Sequence, residues 1–242
     1  RLGLPGWPIG LKPLRVALVA DFHLCDRPSM RTALRAARLV VAEDPDVVVI
    51  AGDILNYWKA GCRAEVARLF QDFAPFRGRI LAVPGNHDYF GGDAEWLRPV
   101  LEEAGVVYLR NEVWSHAGVE WIGVDSAMAR RADPYGALLK ADPSRPMVVV
   151  WHEPDAVLSL PRGIDLMLSG HSHGGQFRTP WGWAPARSKL GYRYVDGFYP
   201  RAPVPLFVTR GVGVTGPPTR LFCPPEVSIL TLGPVSESLH EA

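Results

Sequence analysis

Asp46-Val47-Val48-Val49-Ile50-Ala51-Gly52-Asp53 is apolar at consecutive rather than alternate positions and stops on a glycine and a carboxylate. That is the pattern of a strand buried on both faces, inside a sheet covered by helices. The neighbouring stretches agree. Leu14 to Ala20 and Arg79 to Val83 are short apolar runs of strand length, and helical stretches separate the three. Pro28 and Ser29 open the first helix, in which Met30, Leu34, Ala37 and Val41 recur on one face, Arg31, Arg35 and Arg38 lie largely outside it, and Pro45 follows the end. A second helix is expected over Ala64 to Phe73 and a third over about Asp93 to Ala104. Strands alternating with helices predict βαβ units and a parallel sheet.

Beyond Gly105 the strands follow one another with few helices: Val106 to Leu109, Val119 to Val124, Met147 to Trp151, Ile164 to Leu168, Leu206 to Thr209 and Val227 to Leu232. A mixed or antiparallel second sheet is expected. The fold class is therefore α/β, a two-sheet β-sandwich flanked by helices, with residues 14–242 as one domain behind an N-terminal extension, 1–13. Gly174 to Pro205 is rich in Gly, Pro, Trp and Tyr and too long for a plain connection, which marks it as a substrate-side loop.

The 242 residues are 48% hydrophobic and 21% charged, and 26 Lys and Arg against 25 Asp and Glu leave a net charge of +1. No overall field exists to hold a nucleic-acid backbone, so nucleic acid is disfavoured as a partner. Cys25, Cys62 and Cys223 lack paired spacing, which argues against a disulfide framework or a thiolate zinc knuckle. No uncharged apolar run approaches the roughly 18 residues of a membrane span. The chain starts at Arg1 rather than Met, which leaves room for a leader or anchor ahead of this numbering.

The chemistry lies in the histidines. Five of seven, His23, His87, His152, His171 and His173, directly follow expected strands, where open α/β sheets place their ligands. His116 and His240 fall outside this set and read as ordinary surface or packing residues. Asp21 and His23 follow the first strand, Asp53 the second, Asn86 and His87 the third, His152 the run 147–151, and His171 and His173 the run 164–168. In extended chain, residues two apart point the same way, so Asp21 with His23 and His171 with His173 are each expected to face one centre. A nitrogen and oxygen donor set without sulfur suits Mn, Fe, Zn or Co rather than Ca or Mg. One carboxylate shared by two ions about 3.5–4 Å apart makes a site for in-line displacement at phosphorus. A single structural zinc needs only four ligands and leaves most of the set unexplained.

Asp21-Phe22-His23, Gly52-Asp53, Gly85-Asn86-His87-Asp88, His152 and Gly170-His171-Ser172-His173 together resemble, in order, the signature of the calcineurin-like metallophosphoesterase superfamily. The continuation to Gly174-Gly175-Gln176, with Thr209-Arg210-Gly211, Pro218-Thr219-Arg220 and Cys223-Pro224-Pro225-Glu226, looks like a bacterial subgroup of small, often membrane-associated phosphodiesterases, and the likeness runs from about Leu14 to Leu232. It implies two divalent ions, Mn favoured: Asp21, His23, Asp53 and His173 around one, Asp53, Asn86, His152 and His171 around the other. The implied reaction is hydrolysis of a phosphodiester or diphosphate by a hydroxide held between them.

In the same likeness His87 corresponds to the family's histidine that contacts the phosphate without binding metal. Many relatives pair it with a carboxylate three residues after the bridging aspartate. Here that position is Asn56, whose amide is expected to orient the His87 ring. Asp88 reads either as support behind the ligands or as a helix-entry residue, and Arg210 and Arg220 as partners of carboxylates rather than of phosphate. Trp181 and Trp183 fall in the substrate-side loop. The implied partner is a small-molecule or lipid-linked phosphoester, as in UDP-diacylglucosamine hydrolases, with peripheral membrane contact; oligomeric state and compartment stay open. A binding protein that kept the fold and lost turnover is the alternative from another class, disfavoured by the complete donor set.

Overall fold

The computed structural model describes residues 1–235, so His240 lies outside the described residues. These contain strands β1 (Leu2–Gly3), β2 (Leu14–Val19), β3 (Val47–Ala51), β4 (Ile80–Val83), β5 (Val106–Tyr108), β6 (Glu112–His116), β7 (Val119–Gly123), β8 (Met147–Val150), β9 (Leu166–Ser169), β10 (Gly197–Tyr199), β11 (Leu206–Val208) and β12 (Ser228–Gly233). They form two six-stranded sheets, ordered β1-β12-β2-β3-β4-β5 and β10-β11-β9-β8-β7-β6. β2 to β5 run parallel, as do β7, β8, β9 and β11, while β12 is antiparallel to β2, β6 to β7 and β10 to β11. The two-sheet α/β sandwich read from the sequence is the fold, and its second sheet is mixed.

Period-two alternation divides each strand between two cores. Val16, Leu18, Val47, Val49, Leu81 and Val83 face the second sheet and meet Trp121, Val148, Val150, Leu166 and Leu168. Ala17, Val19, Val48, Ile50 and Ala82 face outward, under helices α1 (Arg27–Glu43) and α2 (Cys62–Gln71). With helices on one face and the other sheet on the other, the apolar runs have no polar side, which explains their unbroken composition.

α1 differs in part of its buried face from the sequence reading. Asp26 caps it, accepting from the Ser29 N–H at 2.8 Å while the Ser29 hydroxyl takes the Asp26 N–H at 3.1 Å. The buried face is Met30, Ala33, Ala36, Ala37 and Val40, with Leu34 half-buried and Val41 exposed. Alanines let the helix lie close on the sheet, so the buried face centres on them; of the expected face Met30 and Ala37 are buried, Leu34 packs at its margin and Val41 falls outside. The third expected helix is a 3₁₀ turn, Ala94–Leu97, running into α3 (Arg98–Glu103), with Asp93 as its cap. A short helix α4 (Pro134–Leu138) and strands β1, β6 and β10 have no counterpart in the sequence reading. All three strands are at sheet edges, where polar residues such as Glu112, Ser115 and His116 are tolerated. β10 also interrupts the long loop 174–205. β1 pairs with β12, and Leu2, Leu4 and Trp7 are buried against the inner core.

Candidate metal centre

Because β2, β3, β4, β8 and β9 are parallel members of two facing sheets, their C-terminal ends meet at one rim. Asp21 and His23 follow β2, Asp53 follows β3, Asn86 and His87 follow β4, His152 follows β8, and His171 and His173 follow β9. All except the half-buried His87 are at most 6% exposed. The loops are laced together by backbone bonds: Asp21 N–H to Gly52 O, His23 N–H to Asp53 O, and Gly170 N–H to His152 O, at 3.0–3.1 Å.

The way the side chains converge departs from the extended-chain expectation. Asp21, His23, Asp53, His171 and His173 all occupy the left-handed region, with φ of 59°, 46°, 53°, 68° and 52°. Each such residue costs on the order of 1 kcal/mol or more, and such residues collect where surrounding structure dictates the geometry. The sheets behind supply that rigidity. Gly85 supplies room: a Cβ there would run into Asp53 Oδ1.

Among the described residues three donor groups result: Asp21, His23 and His173; His23, Asp53 and His87; and Asp53, His152 and His171. Asp53 Oδ2 lies 3.1 Å from His152 Nε2 and 3.5 Å from His23 Nε2, while Oδ1 accepts the His87 N–H at 2.8 Å. Asp21 accepts the His171 N–H at 3.1 Å and lies 3.6 Å from His173 Nε2.

Backbone carbonyls decide which ring nitrogen faces inward, because a carbonyl can only accept. His152 Nδ1 donates to Ala51 O at 2.7 Å, leaving Nε2 bare; His171 Nε2 donates to Lys189 O at 2.6 Å, leaving Nδ1 bare. These two bare nitrogens face each other at 3.2 Å beside the Asp53 carboxylate. Two lone pairs and an anion at that separation call for a positive charge between them, a proton on His152 Nε2 in the metal-free protein or a metal ion in its place. Asn86 Oδ1 is likewise buried without a hydrogen-bond partner. The residues fit metal ions. On the other side, His23 Nδ1 donates to Asn56 Oδ1 at 3.2 Å, which bares its Nε2. Arg220 faces His173 Nδ1 at 3.3 Å, so the His173 proton stands on Nε2, shared with His23 Nε2 at 3.0 Å. With Asp21 these two rings would hold a cation in place of that proton.

Ionisation follows the same logic. Burial disfavours a charged His152, but the Asp53 carboxylate more than offsets it and holds the ring well above its ordinary value. Burial pushes Asp53 up, yet the surrounding imidazoles, His152 first, bring it below the usual carboxylate range. Asp21, with burial dominant, is pushed up to about 7, and burial lowers His23 to about 3. Burial also lowers His171 and His173.

Asn56 requires a correction. Its side chain meets His23, not His87; His87 Nδ1 instead donates to the Asn56 backbone carbonyl at 2.9 Å. The turn after Leu55 turns the amide toward β2, so the main chain orients the second ring. Asp88 is fully buried and accepts the Leu55 and Gly85 N–H groups, both at 2.9 Å, tying the β3 and β4 loops together. Arg210 pairs with Asp196 at 2.8 Å and Glu226 at 3.5 Å. Arg220 donates instead to carbonyls, those of His173 and Arg210 among them.

A cavity of about 380 Å³ opens onto Asp53, Asn86, His87, His171 and His173, with Phe90, Met128 and Phe177 as its apolar lining and Arg187, Ser188 and Lys189 as polar lining. Residue 153 was missed in the sequence. Glu153, fully buried next to His152, accepts the Ser126 hydroxyl at 2.5 Å and the Ala127 and Met128 N–H groups at 3.2 and 3.1 Å, holding the segment that presents Met128. A carboxylate directly after a strand-end histidine was the available signal.

A family model described as calcineurin-like phosphoesterase matches residues 14–175. An uncharacterized metallophosphoesterase of Bacillus subtilis, YkuE, is 28% identical over 93% of this chain and 81% of its own length. An Escherichia coli protein named phosphodiesterase YaeI is 29% identical over 91% of this chain and 82% of its own. The chain spans 62% of the length of a Helicobacter pylori metallophosphoesterase that it also matches. Among solved structures, TT1561 of Thermus thermophilus superposes with a TM-score of 0.56 at 9% identity, covering 83% of this chain and 91% of that one, a likeness of fold.

Proposed function

The chain belongs to the calcineurin-like phosphoesterase family, and on that premise we propose that it is a phosphodiesterase working with two divalent metal ions. The observation that carries the reading is the Asp53 carboxylate, which belongs to two donor groups at once. On this reading Asp21, His23, Asp53 and His173 hold one ion and Asp53, Asn86, His152 and His171 the other. Mixed nitrogen and oxygen shells accept Mn, Fe, Zn or Co, with Mn favoured. Bound there, two divalent ions supply a water of lowered pKa and positive charge against the phosphoryl oxygens.

The chain's own residues do the remaining work. The Ala51 and Lys189 carbonyls and the Asn56 amide keep three rings in the tautomers that point bare nitrogens inward. His87 lines the cavity with Nδ1 committed to the Asn56 carbonyl, which leaves Nε2 for a phosphoryl or departing oxygen. Asn56 is a positioning residue. The apolar wall of Phe90, Met128 and Phe177 accommodates a second ester substituent, which favours a diester over a monoester, and a lipid-linked diphosphate is one form of such a substrate. The relative named phosphodiesterase supports the same preference.

The test is hydrolysis of a bis-aryl phosphodiester and an aryl phosphomonoester by metal-loaded protein. Expected is turnover with Mn, lost in Asp53→Asn, with the diester favoured about tenfold or more in kcat/KM. No hydrolysis of either ester with Mn, Fe, Zn or Co overturns the proposal.

A further inference from the structure

Trp181 and Trp183 are 80% and 55% exposed, and Leu221 and Phe222 are 51% and 59% exposed. Sequence separates the pairs; backbone pairing joins them. Residues 179–183 close a tight turn, Thr179 N–H to Trp183 O and Gly182 N–H to Thr179 O at 2.9 Å each, while Phe177 bridges Leu221 and Arg178 N–H bonds Leu221 O at 2.9 Å. Four large apolar side chains therefore share one rim, reached from the cavity wall at Phe177. Soluble surfaces rarely group such residues without a partner.

The charge around the rim identifies the partner. Residues 177–193 carry four cations and no acid. Arg178 is spent on Asp196, but Arg187, Lys189 and Arg193 make no ion pair among the described residues. The nearby acids are engaged: Asp155 accepts the backbone N–H groups of residues 192–194, and Asp196 and Glu226 face Arg210. Exposed indole rings flanked by uncompensated basic groups match the chemistry of an anionic lipid surface, where tryptophan sits at headgroup depth and cations meet phosphates. We infer that this rim docks the protein on an anionic bilayer, with the mouth of the cavity turned toward the lipid. Docking stands independently of the phosphoesterase reading.

The experiment is co-sedimentation of the metal-loaded chain with vesicles of phosphatidylcholine alone or with one third phosphatidylglycerol, at low and high salt, for the parent and the double variant Trp181→Ala, Phe222→Ala. Expected is binding to the phosphatidylglycerol vesicles at low salt, weakened by salt and reduced about tenfold or more in the double variant, whose hydrolysis of a soluble aryl phosphodiester matches the parent's. Equal binding of parent and variant, no binding to anionic vesicles, or a dimer that the variant breaks while neither form binds vesicles overturns the inference. Loss of ester hydrolysis in both forms with vesicle binding intact overturns only the proposed activity.

Discussion

Asp88 offers a direct measure of what holds the two central loops in place. Its carboxylate is fully buried and accepts one N–H from the loop that carries Asp53 and one from the loop that carries Asn86, both at 2.9 Å. Asp88→Ala removes both acceptors and leaves two backbone donors without water. At about 1–3 kcal/mol per orphaned buried group the gross loss is about 2–6 kcal/mol. Burial, with the Asp53 charge, pushes the Asp88 carboxyl up to about 7, so removing it also relieves a desolvation cost. The expected net loss is therefore in the lower part of that range, about 2–4 kcal/mol. Asp88→Asn keeps one acceptor and turns an NH₂ toward the other donor, for about 1–2 kcal/mol. Urea unfolding of the metal-free proteins reads the difference. A loop released by even about 1 Å lowers ester turnover about a hundredfold, so activity falls in Asp88→Ala at urea concentrations that leave the chain folded. Asp88→Ala within about 0.5 kcal/mol of the parent, with full turnover, would refute the idea that this carboxylate couples the loops.

Asp53→Asn is expected to bind less than one ion per chain by elemental analysis and to lose about a thousandfold or more in turnover, because both donor groups lose a shared charge. Gly85→Ala should lose metal, activity and some stability together, since its methyl meets both the carboxylate and the backbone nitrogen of Asp53; retention of both ions in the purified variant contradicts that steric account. Glu153→Gln exchanges one acceptor facing the Ala127 or Met128 N–H for a donor, so stability drops about 1–3 kcal/mol and KM rises more than kcat falls, as the Met128 wall loosens. A kcat-only effect would place Glu153 elsewhere. Burial and Arg79 hold His116 below its ordinary value. The unfolded chain then takes up its proton first as pH falls through the ordinary value near 6.5, so acidification weakens folding; His116→Gln should flatten the urea midpoint between pH 7.5 and 5, and an unchanged slope denies the effect.

Strand positions in the central sheets are legible because both faces are buried and the residues leave no ambiguity: the apolar run 46–51 contains β3, 47–51, and Gly85-Asn86-His87 follows the end of its neighbour. The face of α1 is legible in part: Met30, Leu34 and Ala37 lie in or against the core, while Ala33, Ala36 and Val40 replace Val41 because alanine fits closer to a sheet than a hydrophobic count credits. Edge strand β6 leaves little imprint because partial exposure permits polar composition, and β10 because three residues are too few to show a period. The residues brought to the rim were likewise legible, as histidines and carboxylates after strands.

Their arrangement was not. By itself the chain's order of residues determined the two-sheet α/β architecture, the set of donors and the family, because burial and strand ends leave a local, one-dimensional imprint. The left-handed turns at five donors, the carbonyls of Ala51 and Lys189 that set the ring tautomers, the exchange of partners at Asn56 and the buried roles of Asp88 and Glu153 were decided only in three dimensions. Each depends on a backbone group or a carboxylate tens of residues away, and every residue has the same N–H and C=O, so no side-chain signal announces which of them will arrive.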